Sequence, residues 1–189
     1  VAYSSVSHMG IILLDIATMN KTGLIGAVLQ MTAHGLVAGA MFLLVGLLYE
    51  RTHTRNILDY SSLVRVMPRF ALFMTITLFA AMGLPGTVGF IAELHAIVGG
   101  FQQWGNLMIL LGVSILIGTA YAMRTIGMLF TGPVKPQMRD IEDLKLYELI
   151  AASFLVVLIV LFGLWPAPLI DLSMATMNLM NNTISQSIQ

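Results

Sequence analysis

Cysteine does not occur in these 189 residues. Disulfides, thiolate metal sites and cysteine-held iron–sulfur clusters are thereby excluded from the chain. Charge is also scarce. Only 10% of the residues are charged, against about 25% in an average soluble domain. The basic and acidic residues cancel to a formal net charge of zero, so no basic face exists for nucleic acid. There is no Gly-rich nucleotide loop behind a strand, no HExxH, no zinc spacing and no GxSxG elbow. Nothing in the chain can carry redox chemistry or hydrolysis alone, and no cofactor, metal or bound soluble substrate is expected. A signal-peptide pattern is absent as well. Val1 runs directly into AYSSVSHMG, and the chain is expected to be a fragment of a longer protein.

Apolar residues are abundant: 58% of the chain is hydrophobic, which with the low charge indicates a multi-pass membrane protein. Fourteen methionines without a repeated MxxM cluster read as adaptable packing between helices. About 20 apolar residues span the hydrocarbon, and by that rule the sequence holds about five crossings. The first runs from Val6 to Met19 and extends back toward Val1, with a turn at Asn20–Gly23. The second runs from Leu24 to Tyr49 and is followed by a polar loop, Glu50 to Met67. The fourth is Asn106 to Phe130, followed by a charge-mixed loop, Thr131 to Tyr147. The fifth is Glu148 to Trp165, closed by Pro166 and Pro168. Leu169 to Asn182 is read as a short interfacial helix, and NNTISQSIQ as a frayed tail. The domain division is then 1–165 for the membrane bundle and 166–189 for the peripheral segment.

The third region, Arg69 to Phe101, is informative by its length. As one straight helix it would extend about 50 Å, too long for a single span without steep tilt. Two full crossings would leave too few residues on each side of Pro85. One crossing made of two half-helices, Phe70 to Met82 and Val88 to Gly100, resolves the conflict, with the break at Pro85 and Gly86. Backbone groups freed at such a break need protein or water, so the break is expected to face a wet interior. Lysine and arginine counts support this reading. Arg51, Arg55, Arg65 and Arg69 share one loop, and Lys135, Arg139 and Lys145 share another, whereas the turn near Gln102 has none. Both loops fall on the cytoplasmic or matrix side only if the third region crosses once.

Glu93 is the most informative single residue. It follows the break within GLPGTVGFIAELHAIVGGF, which otherwise carries no formal charge. A carboxylate at bilayer depth costs several kcal/mol if ionised and unpaired, and such residues mark ion or proton paths. The plain alternative is a glutamate hydrogen-bonded to another helix. His34 lies near the middle of the second crossing with Gln30 one turn before it, and histidine can pass a proton between its ring nitrogens. Its plain alternative is a neutral histidine bonded across a helix interface. Gly35 and Gly39 form a small-xxx-small pair that permits close helix approach. His8 has Ser4 and Ser5 one turn away, a plausible hydrated relay, although the serines can also satisfy one another. Asp15 shares a face with His8 but nears the outer boundary, where Lys21 is its expected partner. His95 is about 200° around the helix from Glu93 and is not expected to pair with it. Arg124 is expected to snorkel. His53 and the loop arginines are expected in solvent or at lipid headgroups.

Four segments in order, AYSSVSHMG, LQMTAHGL, LYERTHTR and GLPGTVGFIAEL, carry a resemblance. With them the chain resembles the M-type (chain 4-type) antiporter-like membrane subunits of the NADH:quinone oxidoreductases, respiratory complex I. That superfamily includes multi-subunit cation/proton antiporters and membrane-bound hydrogenases. The resemblance implies an all-α polytopic bundle, the C-terminal part of a fold of about fourteen helices with two inverted repeats, each holding one broken helix. It implies proton transfer along a mid-membrane chain of histidines and a glutamate, driven by redox chemistry in other subunits. By motif, His8, His34 and Glu93 match the proton-handling positions. The implied partners are neighbouring antiporter-like subunits and lipid. The implied location is a bacterial inner membrane or its thylakoid or organelle equivalent. AELH departs from the pattern, in which a phenylalanine follows the glutamate, so His95 adds a local titratable group. The family's first repeat and a central lysine have no counterpart here. A Na⁺/H⁺ antiporter or membrane-bound hydrogenase subunit is the alternative function, and a truncated homologue that only packs in an assembly is a third.

Overall fold

A computed structural model describes residues 2–139 and 141–176. Among them every regular element is helical. In order they are α1 (Ala2–Ala17), α2 (Lys21–Thr52), α3 (Leu63–Val66), α4 (Pro68–Ala81), α5 (Val88–Trp104), α6 (Ile109–Phe130) and α7 (Leu146–Leu164). A further stretch, α8, is helical over residues 167–176.

α2 is the axis of the bundle. Asn20 caps its start, its side chain accepting from the Gly23 amide at 2.8 Å while its own amide donates to the Gly99 carbonyl at 2.7 Å. Three of the four residues expected in the turn are therefore helical, and α2 begins at Lys21, not Leu24. It ends where His53 takes a left-handed conformation, φ 52°. At 32 residues it is about 48 Å long.

α4 and α5 lie end to end along that length. At one end Gly99 packs on Gly23, and the next turns bring His95 and Ala96 against Gly26. Near the middle, Gly89 and Glu93 meet Gln30, Ala33 and His34, and α4 joins there through Ala80 and Ala81. At the far end Asp143 accepts from the Arg69 and Phe70 amides at 2.8 and 3.1 Å, while Arg51 of α2 reaches its carbonyl at 3.5 Å. Two half-helices thus share one path, as the length argument predicts. Residues 82–87 make the break, with φ +69° at Gly83 and +94° at Gly86. Thr87 closes it, its hydroxyl donating to the Leu84 carbonyl at 2.7 Å. α6 runs back beside the broken pair after a reversal at Gly105 (φ +56°). Among the described residues three runs are long and apolar enough to cross a membrane alone: Lys21–Thr52, Val88–Phe130 with its internal reversal, and Leu146–Leu164.

Phe70, Leu29, Leu44, Leu63, Met67 and Ile159 are fully enclosed where α2, α3, α4 and α7 meet. Ile11, Ala96, Met108 and Leu111 form a smaller cluster at the α1–α5–α6 end. Leu13, Leu116, Ile117, Phe154 and Val157 face outward, as lipid- or subunit-facing residues do.

Three expectations are corrected here. Arg51 is not a solvated loop residue. Its side chain is 12% exposed and meets Glu148 at 2.5 Å, because the first turn of α7 packs beside the last turn of α2 and would otherwise enclose a bare carboxylate. Gly35 and Gly39 do not mediate close approach: a Cβ on either would meet nothing within 4 Å, since among the described residues no element covers that face. The expected helix from Leu169 falls partly on α8, whose Leu169, Ile170 and Met174 pack against the main core. Residues 177–182 of that span, and the tail, lie outside the described residues.

Candidate functional site

The crossing of α1, α2 and the α4–α5 break brings four polar side chains to one depth. α1 supplies His8, two turns inside its start. α2 supplies Gln30 and His34, which one helical turn places on the same face. α5 supplies Glu93 from its second turn. Gln30 Nε2 lies 2.9 Å from His8 Nδ1. An amide nitrogen only donates, so Nδ1 accepts and the proton of the neutral ring is on Nε2. The rings of His8 and His34 are 5.3 Å apart at 40°. Gln30 Oε1 is buried without a hydrogen-bond partner.

Glu93 is 8% exposed. Its carboxylate rests over Gly83: a Cβ there would lie 2.2 Å from Oε2. Gly89 lets the half-helices close, since its Cβ position is 2.7 Å from the Ala80 carbonyl. The backbone of α4 therefore lies directly against Gly89. A gap of about 10 Å³ lies between His8, His34, Gln30 and Glu93, space for about one water molecule. A groove of about 350 Å³ shares His8 and Glu93 with this gap and is also lined by Ser4, Ser7, Ser114, Thr119 and Tyr121. Neighbouring titratable groups joined by hydroxyls and a water-sized space can pass protons. Among the described residues no group of three or more His, Asp or Glu is placed to hold a metal ion.

The structure thus brings His8, His34 and Glu93 to one place. Pro85 and Gly86 belong to the break, yet neither lines the gap or the groove. Pro85 is exposed, and Gly86 is covered by α7, its carbonyl 2.4 Å from the Cβ position of Gly163. The end of the break that lines the groove is therefore Ala81–Met82, not the proline. His95 does not join Glu93; its Nδ1 is 2.8 Å from the Ile91 carbonyl.

Residues 1–118 match the family model described as NADH:quinone oxidoreductase/Mrp antiporter, TM. The chain belongs to that family. The quinone oxidoreductase/Mrp match extends to individual relatives. NADH-quinone oxidoreductase subunit M of Rhodobacter capsulatus is 39% identical over 175 residues, 91% of this chain and 34% of the relative. Among solved structures, a chain of respiratory complex I from Thermus thermophilus with bound NADH superposes with a TM-score of 0.84 at 31% identity, over 92% of this chain and 38% of that one. A chain of the Mrp complex from Dietzia sp. DQ12-45-1b shares the fold, TM-score 0.80 at 23% identity, over 91% of this chain and 40% of that one. The chain spans about a third of the length of the curated relatives it matches. Like others of this family it is a multi-pass membrane protein.

Several polar residues of the site were not evident as such in the sequence. Gln30 was visible only as a neighbour of His34, and its bond to His8 depends on how α1 lies against α2. Ser114, Thr119 and Tyr121 of α6 carry no signal apart from being polar within an apolar helix. Asp15 was expected at the boundary beside Lys21. Instead it is wholly enclosed, and neither carboxylate oxygen has a hydrogen-bond partner. α2 begins before Leu24, which places Lys21 exposed on its first turn.

Proposed function

We propose that this chain is part of a proton-translocating membrane subunit of an NADH:quinone oxidoreductase complex. Glu93, His34 and His8 pass protons along the membrane interior, and redox chemistry in other subunits supplies the energy. The carrying observation is the shared water-sized gap, which among the described residues these three titratable groups line. Gln30 positions His8 through its amide, and Gly83 seats the Glu93 carboxylate beside the groove. Translocation is assigned to residues 1–165. Neighbouring antiporter-like subunits and lipid are the partners of the outward apolar faces of α1, α6 and α7.

The test is Glu93→Gln in the full-length subunit within its complex. Proton pumping into membrane vesicles should fall roughly tenfold or more, as expected when a positioned proton carrier is lost, while the complex still assembles. Undiminished pumping would refute the assignment. A second reading, a Na⁺/H⁺ antiporter subunit, is favoured by the family description, which names Mrp antiporters together with the oxidoreductases. Vesicle transport that requires Na⁺ and is indifferent to NADH would select it.

A further inference from the structure

Asp15 takes no part in the mid-depth site. It lies two turns beyond His8 on α1, about 10 Å further along the helix. Its side chain is wholly enclosed and both oxygens lack a hydrogen-bond partner. An acid in such a place costs several kcal/mol when ionised, and an apolar residue of similar size would pack there without that cost.

Its surroundings suggest a use. Across from it, α2 presents Gly26. A Cβ on Gly26 would lie 3.1 Å from Asp15 Oδ2 and 3.1 Å from His95 Cβ. The missing side chain therefore leaves the Asp15 carboxylate and His95 Cβ on either side of one narrow space, with no hydrogen bond between the two side chains. His95 Nδ1 faces the Ile91 carbonyl at 2.8 Å. A carbonyl only accepts, so the proton is on Nδ1 and Nε2 is the nitrogen free to accept. His95 is half-buried, so its side chain reaches from this layer toward the outside of the bundle. Lys21, the nearest cation along α2, is exposed and forms no ion pair with Asp15. On one side of this layer are Glu93 and His8. On the other are Thr18, whose hydroxyl donates to the Asp15 carbonyl at 2.7 Å, and Asn20 at the helix start. The layer thus stands between the mid-depth site and the end of the bundle opposite the arginine-bearing loops.

We propose that Asp15 and His95 form the outer limb of the proton path. The Asp15 carboxylate takes a proton arriving from the Glu93 level and becomes a carboxylic acid. It passes that proton to His95 Nε2, which regenerates the carboxylate and makes an imidazolium. The imidazolium releases the proton at its exposed edge and returns to the neutral ring. This rests on the mid-depth reading of Glu93, His34 and His8.

The experiment compares Glu93→Gln, Asp15→Asn, Asp15→Glu and His95→Phe in the full-length subunit within its complex. Pumping is read in vesicles, and the protonated-carboxyl stretch by infrared difference spectroscopy. Asp15→Asn keeps the shape and cannot carry a proton. Pumping should fall about tenfold, with partial recovery in Asp15→Glu and loss of one carboxyl band. His95→Phe should reduce pumping similarly and shift that band. If Asp15→Asn pumps normally while Glu93→Gln does not, Asp15 is structural and the outer limb is overturned alone. If Glu93→Gln pumps normally, the mid-depth reading falls and takes this proposal with it. Should Asp15→Asn fail to assemble, His95→Phe decides: unchanged pumping with an unshifted band overturns the pair.

Discussion

Gly83 and Glu93 show how one missing side chain can seat another. Gly83 holds φ +69°, and the space its Cβ would occupy is taken by the Glu93 carboxylate. A left-handed alanine costs about 1–2 kcal/mol before any clash, and here the clash falls on the carboxylate proposed to carry protons. Gly83→Ala should therefore lower thermal stability by about 2 kcal/mol or more and depress pumping together. A variant that lost stability but pumped normally would separate the glycine from the site. Gln30 offers the opposite case. Its amide holds His8 at 2.9 Å, and a neutral hydrogen bond contributes about 1 kcal/mol net. Gln30→Met keeps the length and removes the donor. Stability should change by no more than about 1 kcal/mol, whereas pumping should drop severalfold because His8 loses its orientation. Assembly and pumping measured on one preparation check both halves.

Between elements, glycine marks where backbones touch. A Cβ on Gly163 of α7 would lie 2.4 Å from the Gly86 carbonyl oxygen and 2.4 Å from Thr87 Cα. These are backbone atoms and cannot swing aside. Gly163→Ala should push α7 off the break and cost about 1–3 kcal/mol, seen as a lower unfolding temperature. Gly39→Ala, on a face with nothing within 4 Å, should be neutral or stabilise α2 by up to about 1 kcal/mol. Equal losses in the two variants would mean that an element beyond the described residues packs on Gly39. The spacing of Gly35 and Gly39 is the same motif that elsewhere brings helices together. Sequence spacing says that a helix can approach; whether one does depends on where its neighbours run.

For the molecule as a whole, the tie between α2 and α7 and the single broken crossing can be tested separately. Arg51 meets the enclosed Glu148 at 2.5 Å and also donates to the Leu47 and Glu142 carbonyls at 2.9 and 3.0 Å. Removing one partner of a buried pair strands the other charge, at a cost of about 3–5 kcal/mol. Arg51→Ala should accordingly reduce assembly of the subunit into its complex, as measured by co-purification, and Arg51→Ala with Glu148→Leu should recover much of it. Orientation is testable because the chain has no cysteine. Arg55→Cys and Arg139→Cys should label from one membrane face with an impermeant maleimide, and Gln103→Cys from the other. Labelling of Arg55→Cys and Gln103→Cys from one face and of Arg139→Cys from the other would mean that the Arg69–Phe101 region crosses twice.

The sequence by itself determined the all-helical membrane class, the broken third crossing and the identity of His8, His34 and Glu93 as candidates. Each rests on a local property: apolar run length against bilayer thickness, a Pro-Gly interruption, a titratable group inside an apolar stretch. Only the tertiary structure decided who stands beside whom. The enclosure of Asp15, the Gln30–His8 bond, the seat of Glu93 on Gly83 and the burial of Arg51 all join residues from different helices. They depend on the rotation and depth at which each helix packs, which one chain's periodicity leaves open.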